Sequence, residues 1–334
     1  MCDECAGAAN PGRRNLLRGL LAGTAGATLA ATGLGAAVAQ AAPGSAGQAG
    51  RVSAGVRFRW LGVAGWELSF DGRRVLIDPY LSRFRYTTAA GAVDPSAPLT
   101  TNLQHLAPVL DDPAPVELIL LTHGHWDHAA DVPHLMKALH RKDKNTPRVT
   151  GTETHRCLLT ALGVDPGRMI DVRGGEYLDF QGFTVRGFRS LHGTGANYQY
   201  FAPGTHRTPP PRPTTIGELV EGGTLAYRVD VGDRLSAVFI GTAAFIENEL
   251  AGQRPDVAVL SLTGGTTYQF VERALVTLGR PRFVVPSHHD RMDTPLGTPG
   301  VDPQLLRDFR AVVARISPRS TVIEPDGHLG TFTL

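Results

Sequence analysis

The sequence predicts an α/β (α+β) protein in which two β-sheets pack face to face and helices cover their outer surfaces. Three observations predict it: an opening run of short strands joined by glycine turns, later strands that alternate with helices, and an apolar strand that ends in a dense polar cluster. Strands that come first as a meander and then alternate with helices leave two sheets to bury and outer faces to cover. The 334 residues, 42% hydrophobic and 19% charged, can bury a sizeable core and exclude a disordered chain.

The opening meander is read at residues 56–61, 67–70 and 74–77, with turns at 62–65 and at Asp71-Gly72. Residues 116–121 form a short apolar run, the pattern of a buried strand that delivers side chains at its C-terminal end. A helix follows at 132–140, and Cys157 sits beside Leu158 and Leu159 in a helical stretch as a small buried hydrophobe. Later strands are expected at 183–188, 224–229, 237–240, 257–261 and 283–285, with helices at 270–278 and after Asp302-Pro303. In that last helix Leu305, Leu306, Phe309, Val312, Val313 and Ile316 share one face. Residues 203–215 carry five prolines, too many for a regular element, and are expected to form a loop that overhangs whatever lies near His192.

Residues 1–41 differ from the rest. Arg13-Arg14 precedes a stretch diluted by Ala, Gly and Thr, and Ala39-Gln40-Ala41 has the small-x-small form of a cleavage site. The segment resembles a twin-arginine export signal, which implies delivery to an extracellular, periplasmic or cell-wall space. Two of the three cysteines, Cys2 and Cys5, fall inside it, so the mature chain keeps Cys157 and forms no internal disulfide. The organisation expected is a signal over 1–41 and a catalytic domain over 52–334, with no membrane span in the mature form. A formal charge of +2 and the lack of a long basic run speak against a nucleic-acid partner, and the run Arg141-Lys142-Asp143-Lys144 reads as a solvated helix end.

The chemistry concentrates in Thr122-His123-Gly124-His125-Trp126-Asp127-His128. Three imidazoles and a carboxylate after a buried strand each need a partner, and a metal satisfies them together. On an extended strand end His123 and His125 project to one side, while Asp127 and His128 lie past the turn and can reach a second ion.

This stretch carries a full His-x-His-x-Asp-His motif, and with Trp60-Leu61-Gly62, Leu76-Ile77-Asp78-Pro79 and Ser190-Leu191-His192-Gly193 it resembles the metallo-β-lactamase superfamily. The resemblance implies a four-layer αββα sandwich. It implies that His192 completes the first metal's ligands with His123 and His125, and that Asp78 braces the metal loop. Pro286-Ser287-His288-His289-Asp290 resembles the last metal motif, with His288 rather than His289 as ligand. His105, His134, His140, His155, His206 and His328 are read as surface or hydrogen-bonded side chains.

One position departs from the family. At Phe239-Ile240-Gly241-Thr242-Ala243, Thr242 stands where most two-metal members carry a bridging Asp. One ion is expected to bind tightly and the second position loses a negative ligand. Glu247, Asp290 or a bridging water are the candidates to replace it. Imidazoles and a carboxylate without thiolate suit zinc first, with iron, manganese or cobalt as the other metals such donors hold.

The resemblance, in its lactonase-like and phospholipase D-like branch, implies a hydrolase in which metal-activated hydroxide attacks an ester, lactone or phosphodiester of a small molecule. Asp127, as the motif's carboxylate, is the catalytic candidate to orient that water or carry its proton. Two other readings stand beside it: a mononuclear, dioxygenase-like oxidoreductase, and a non-catalytic metal-binding protein of the same fold. Oligomeric state is left open.

Export supplies the first test. The secreted protein should begin near Ala42, and Arg13→Lys combined with Arg14→Lys should abolish secretion; N-terminal sequencing of the medium or periplasm checks both, and a secreted full-length chain would refute the signal.

Overall fold

The computed structural model describes residues 55–143, 146–265, 267–298 and 300–334; the proposed signal, with Cys2, Cys5, Arg13 and Arg14, lies outside them. Two seven-stranded sheets organise the chain. The first holds β1 (Arg57–Gly62), β2 (Gly65–Phe70), β3 (Arg73–Ile77), β4 (Val116–Leu120), β5 (Arg148–Gly151) and β6 (Met169–Asp171) in sequential order. The second holds β7 (Tyr177–Asp179), β8 (Thr184–Arg189), β9 (Leu225–Val231), β10 (Leu235–Ile240), β11 (Val257–Ser261), β12 (Phe283–Ser287) and β13 (Thr321–Val322), also sequential. The C-terminal β14 (Thr331–Thr333) returns to pair antiparallel with β1 and closes the edge of the first sheet.

Seven helices of four or more residues are described: α1 (Ala107–Leu110), α2 (Trp126–Ala129), α3 (Val132–Asp143), α4 (Glu153–Ala161), α5 (Glu247–Leu250), α6 (Phe270–Thr277) and α7 (Pro303–Ile316). Period-two alternation along the strands assigns the layers. Val75, Ile77, Leu118 and Leu120 of the first sheet meet Val229, Phe239, Val257 and Val259 of the second in the central core. The intervening residues face outward: Leu76 and Ile119 pack with Leu135, Met136 and Leu159, while Val238, Ile240, Ala258 and Leu260 pack with Phe270, Leu275, Phe309 and Val313. Helix, sheet, sheet and helix therefore follow in order, the αββα arrangement. Asp302 caps α7 by accepting from the Gln304 and Leu305 N–H groups, which explains where that helix starts.

The parallel pairs β3–β4–β5–β6 and β10–β11–β12–β13 matter most for function. Parallel strands end on the same side, so the loops after β3, β4, β10, β11 and β12 open together at one edge of the sandwich. Tyr227 ties the sheets beneath that edge: its hydroxyl donates to the Leu121 carbonyl at 3.0 Å and accepts from Thr150 at 3.0 Å.

The proline-rich stretch has no helix or strand over 203–215, as its composition predicts. It turns away from the His192 loop, however. Arg212 donates to the Leu162 carbonyl after α4, and the Leu99 N–H donates to the Thr214 carbonyl. The residue near this stretch that reaches the strand-end cavity is Phe201, just upstream of it.

Candidate metal centre

Every side chain singled out by the sequence at this edge, from His123 through His288, is brought to one cavity of about 200 Å³. The polypeptide needs special backbone to do it. Gly124 packs so closely on the 219–221 loop that a Cβ there would lie 2.3 Å from the Val220 carbonyl oxygen, and its N–H donates to the Glu221 carbonyl. Gly241 is pressed likewise against the Thr122 hydroxyl. Asp78 and His288 sit in the left-handed region, at φ of 42° and 49°, a conformation that costs a non-glycine residue about 1 kcal/mol or more and is held by surrounding contacts. For His288 those contacts are its N–H to the Val63 carbonyl at 2.8 Å and its carbonyl accepting from the Thr263 hydroxyl at 2.6 Å.

Two groups of donors result. Ligand atoms of His123, His125 and His192 all lie within 4.8 Å of one another, and so do those of His123, Asp127 and His128. His288 joins the second group, its Nε2 3.2 Å from Asp127 Oδ2, and His128 Nε2 is 3.5 Å from the same oxygen. His289, by contrast, stacks on the Trp60 indole at 4.4 Å and does not line the cavity.

The outward ring nitrogens are held by protein groups, which fixes each ring's orientation. His192 Nδ1 meets the Gly193 carbonyl at 2.7 Å, His288 Nδ1 meets Thr263 at 2.6 Å, and His128 Nδ1 meets Asp78 Oδ2 at 2.9 Å. Asp78 also accepts from the Thr122 N–H at 2.7 Å and the Thr122 hydroxyl at 2.6 Å. It braces the motif and does not line the cavity.

The electrostatics suit a cation. Burial, then repulsion from neighbouring imidazoles, lowers the pKa of His123 well below its ordinary value and that of His125 to about 3; burial also lowers His192. These three rings are neutral at pH 7 and keep a lone pair for a metal. Burial also opposes a charge on His128, yet the carboxylates of Asp127 and Asp78 outweigh it and push its pKa up to about 10. Asp127 is held well below the usual carboxylate range because, against burial, His128 and His288 stabilise its anion. The paired carboxylates thus draw positive charge to the second position, and a divalent ion supplies it. The donor set fits a metal at both positions.

Thr242 lies on the cavity wall and its hydroxyl donates to the Leu191 carbonyl at 2.9 Å. Neither carboxylate expected to compensate does so. Asp290 accepts from the Val63 N–H at 3.0 Å, from Arg83 at 2.7 Å and from His328 at 2.7 Å, and it does not line the cavity. Glu247 pairs with Arg273 at 2.7 Å and is half exposed. Among the described residues Asp127 is the only carboxylate lining the cavity.

Sequence reasoning missed Tyr86, Val93 and Met292, which with Trp126 of the motif and Phe201 make the rest of the wall apolar; Tyr86 packs on Trp126 at 4.8 Å. Tyr200 stacks on His192 at 4.9 Å, whereas Tyr198 is exposed. Thr263 follows β11 in a Thr-Gly-Gly sequence that signals a strand-end turn, the one cue that could have found it. Tyr86 and Met292 lie in irregular loops with no local signal.

Known proteins resemble this chain in sequence and fold. The chain is 25% identical over 274 residues to a "UPF0173 metal-dependent hydrolase" of Sulfurisphaera tokodaii, an alignment covering 80% of this chain and 96% of the relative. It is 26% identical over 308 residues to a protein of the same description from Myxococcus xanthus, covering 90% and 95%. Among solved structures, Igni18, a metallo hydrolase from Ignicoccus hospitalis, superposes with a TM-score of 0.51 at 19% identity, covering 84% of this chain and 99% of that one. The isothiocyanate hydrolase from Delia radicum gut bacteria gives 0.51 at 18% identity, covering 83% and 99%; at these identities the likeness is one of fold. The family described as "Beta-lactamase superfamily domain" matches residues 57–288, more than half the chain and nearly all of the site, and the protein belongs to that superfamily.

Proposed function

We propose that this protein is an exported metal-dependent hydrolase that cleaves an ester, lactone or phosphodiester bond in a small molecule. The observation that carries the reading is the donor set: neutral imidazoles of buried His123 and His125 and partly buried His192 converge beside an ionised Asp127 flanked by His128 and His288. The relatives' descriptions as metal-dependent hydrolases support it.

His123, His125 and His192 would hold the first ion, and Asp127, His128 and His288 the second. When bound, a divalent ion such as zinc supplies Lewis acidity, polarising the substrate oxygen and making water acidic near neutral pH. The chain's own groups do the remainder. Asp127, ionised at neutral pH, accepts the proton of the attacking water and returns it to the leaving oxygen. Trp126, Tyr86, Phe201 and Met292 exclude bulk water and hold the substrate's apolar part. Export is supported by Arg13-Arg14 and the Ala39-Gln40-Ala41 exit.

His123→Ala and His192→Ala should each remove most bound metal and lower hydrolysis of an ester, lactone and phosphodiester panel by several orders of magnitude, on the scale of losing the activated nucleophile. Elemental analysis run beside the assays checks this, and full activity in a metal-free variant would sink the mechanism.

Thr242 offers an independent check. Its neutral hydroxyl is spent on the Leu191 carbonyl, so Thr242→Asp places a charge between the two positions and should bring metal content towards two per chain with tighter second-site binding. Should the wild type already hold two ions tightly and the variant change neither number nor affinity, Thr242 is not at the bridging position.

A further inference from the structure

A cleft larger than the metal cavity lies elsewhere in the described structure. It has a volume of about 640 Å³, lies between α3, the 162–168 turn and Arg212 of the proline-rich loop, and shares no lining residue with the metal site.

Its lining is polarised. Met136, Leu162 and Val164 give it an apolar floor. Lys137, Arg141, Arg168 and Arg212 stand around that floor, and the single lining acid, Asp165, is engaged in accepting from the Gly167 N–H at 2.9 Å. Among the described residues none of these four cations has a carboxylate partner, unlike Arg74, Arg83, Arg156, Arg189, Arg228, Arg273, Arg310 and Arg315 elsewhere in the fold.

Two of the arginines are positioned by backbone. Arg212 Nη1 donates to the Leu162 carbonyl at 3.1 Å and Arg168 Nη1 to the Thr146 carbonyl at 3.3 Å. Each uses one of its five donors there and keeps its full charge and the rest of its fork for a ligand. The cations also converge: His134, on the inner wall, is held below its ordinary pKa by burial and, against the pull of Asp131, by the positive charges of Arg212 and Lys137. Like charges gathered around a concave apolar surface repel one another unless an anion sits among them, and a cleft of this size matches a small-molecule ligand.

We infer that this cleft is a second ligand site, separate from the metal centre, that binds a small phosphate ester by seating its apolar part on Met136, Leu162 and Val164 and its phosphate among Arg168, Arg212, Lys137 and Arg141. Arg141, from the run that the sequence presents as a solvated helix end, supplies one side of it. A dianionic phosphate suits three forked guanidiniums and a lysine better than a singly charged carboxylate does.

Isothermal titration of 1-naphthyl phosphate into the metal-loaded protein tests the assignment, with uncharged 1-naphthol as control. The wild type should bind the phosphate and not the alcohol. Arg168→Ala with Arg212→Ala should weaken binding by about a hundredfold, tenfold for each lost charge-assisted contact, while metal content stays the same. Because metal ions themselves attract phosphate, equal affinity in wild type and double variant would place the ligand at the metal centre and overturn the proposal, as would a wild type that binds no phosphate. If the double variant misfolds by near-ultraviolet circular dichroism, exposed Lys137→Gln with Arg141→Gln takes its place, with a weakening of about tenfold or more expected and an unchanged affinity counting against the site.

Discussion

A buried carboxylate at the end of β3, Asp78, accepts hydrogen bonds from the backbone and hydroxyl of Thr122 and from the ring of His128. Those contacts span the motif: Thr122 is the residue before the first histidine, and His128 is its last. Fixing both ends leaves His123, His125 and Asp127 little freedom between them, and the close approach of Gly124 and Gly241 removes most of what remains. Because β3 and β4 are parallel neighbours, Asp78 and Thr122 emerge side by side as a consequence of topology. The imidazoles can then crowd together with a pKa of about 3 at His125 because the scaffold, and not their mutual affinity, holds them there.

Charge explains why the two positions differ. The three neutral rings of the first need only a Lewis acid to share their lone pairs. The second is governed by Asp127 and, one step behind, Asp78, whose combined field raises His128 to about 10. With Thr242 committed to a backbone carbonyl and Asp290 held by Arg83, His328 and Val63, no other carboxylate of the cavity wall shares the load. Asp290 serves instead to anchor the loop that carries His288, joining it to the β1–β2 turn at Val63 and to the C-terminal segment at His328.

Much of this was legible in the sequence because it rests on local patterns. Short apolar runs at residues 116–121 and 257–261 report two-sided burial, and the His-x-His-x-Asp-His spacing carries its chemistry within six residues. A motif favours His288 over His289 as the ligand, and in the structure His288, in left-handed backbone, lines the cavity while His289 packs on Trp60. Elements that depend on distant contacts were not legible. β5, β6, β7, β13 and β14 are two to four residues long and owe their existence to neighbours already in place. The overhang expected of residues 203–215 failed because prolines declare irregular backbone without its direction; Arg212 and Thr214 bind the loop to the α4 side instead. Asp290 could not be told from a ligand by spacing, since its three donors come from residues 63, 83 and 328.

The claim that Asp78 holds the centre together is tested most directly by metal binding in Asp78→Asn, which keeps the shape and removes the charge. Loss of such a bracing partner weakens metal binding by about ten- to a hundredfold, and the loss should fall on the position served by Asp127, His128 and His288. Titration of the metal-depleted variant with zinc should therefore show a weakened second event with the first event retained. Wild-type affinity at both positions in a folded Asp78→Asn protein would contradict the account.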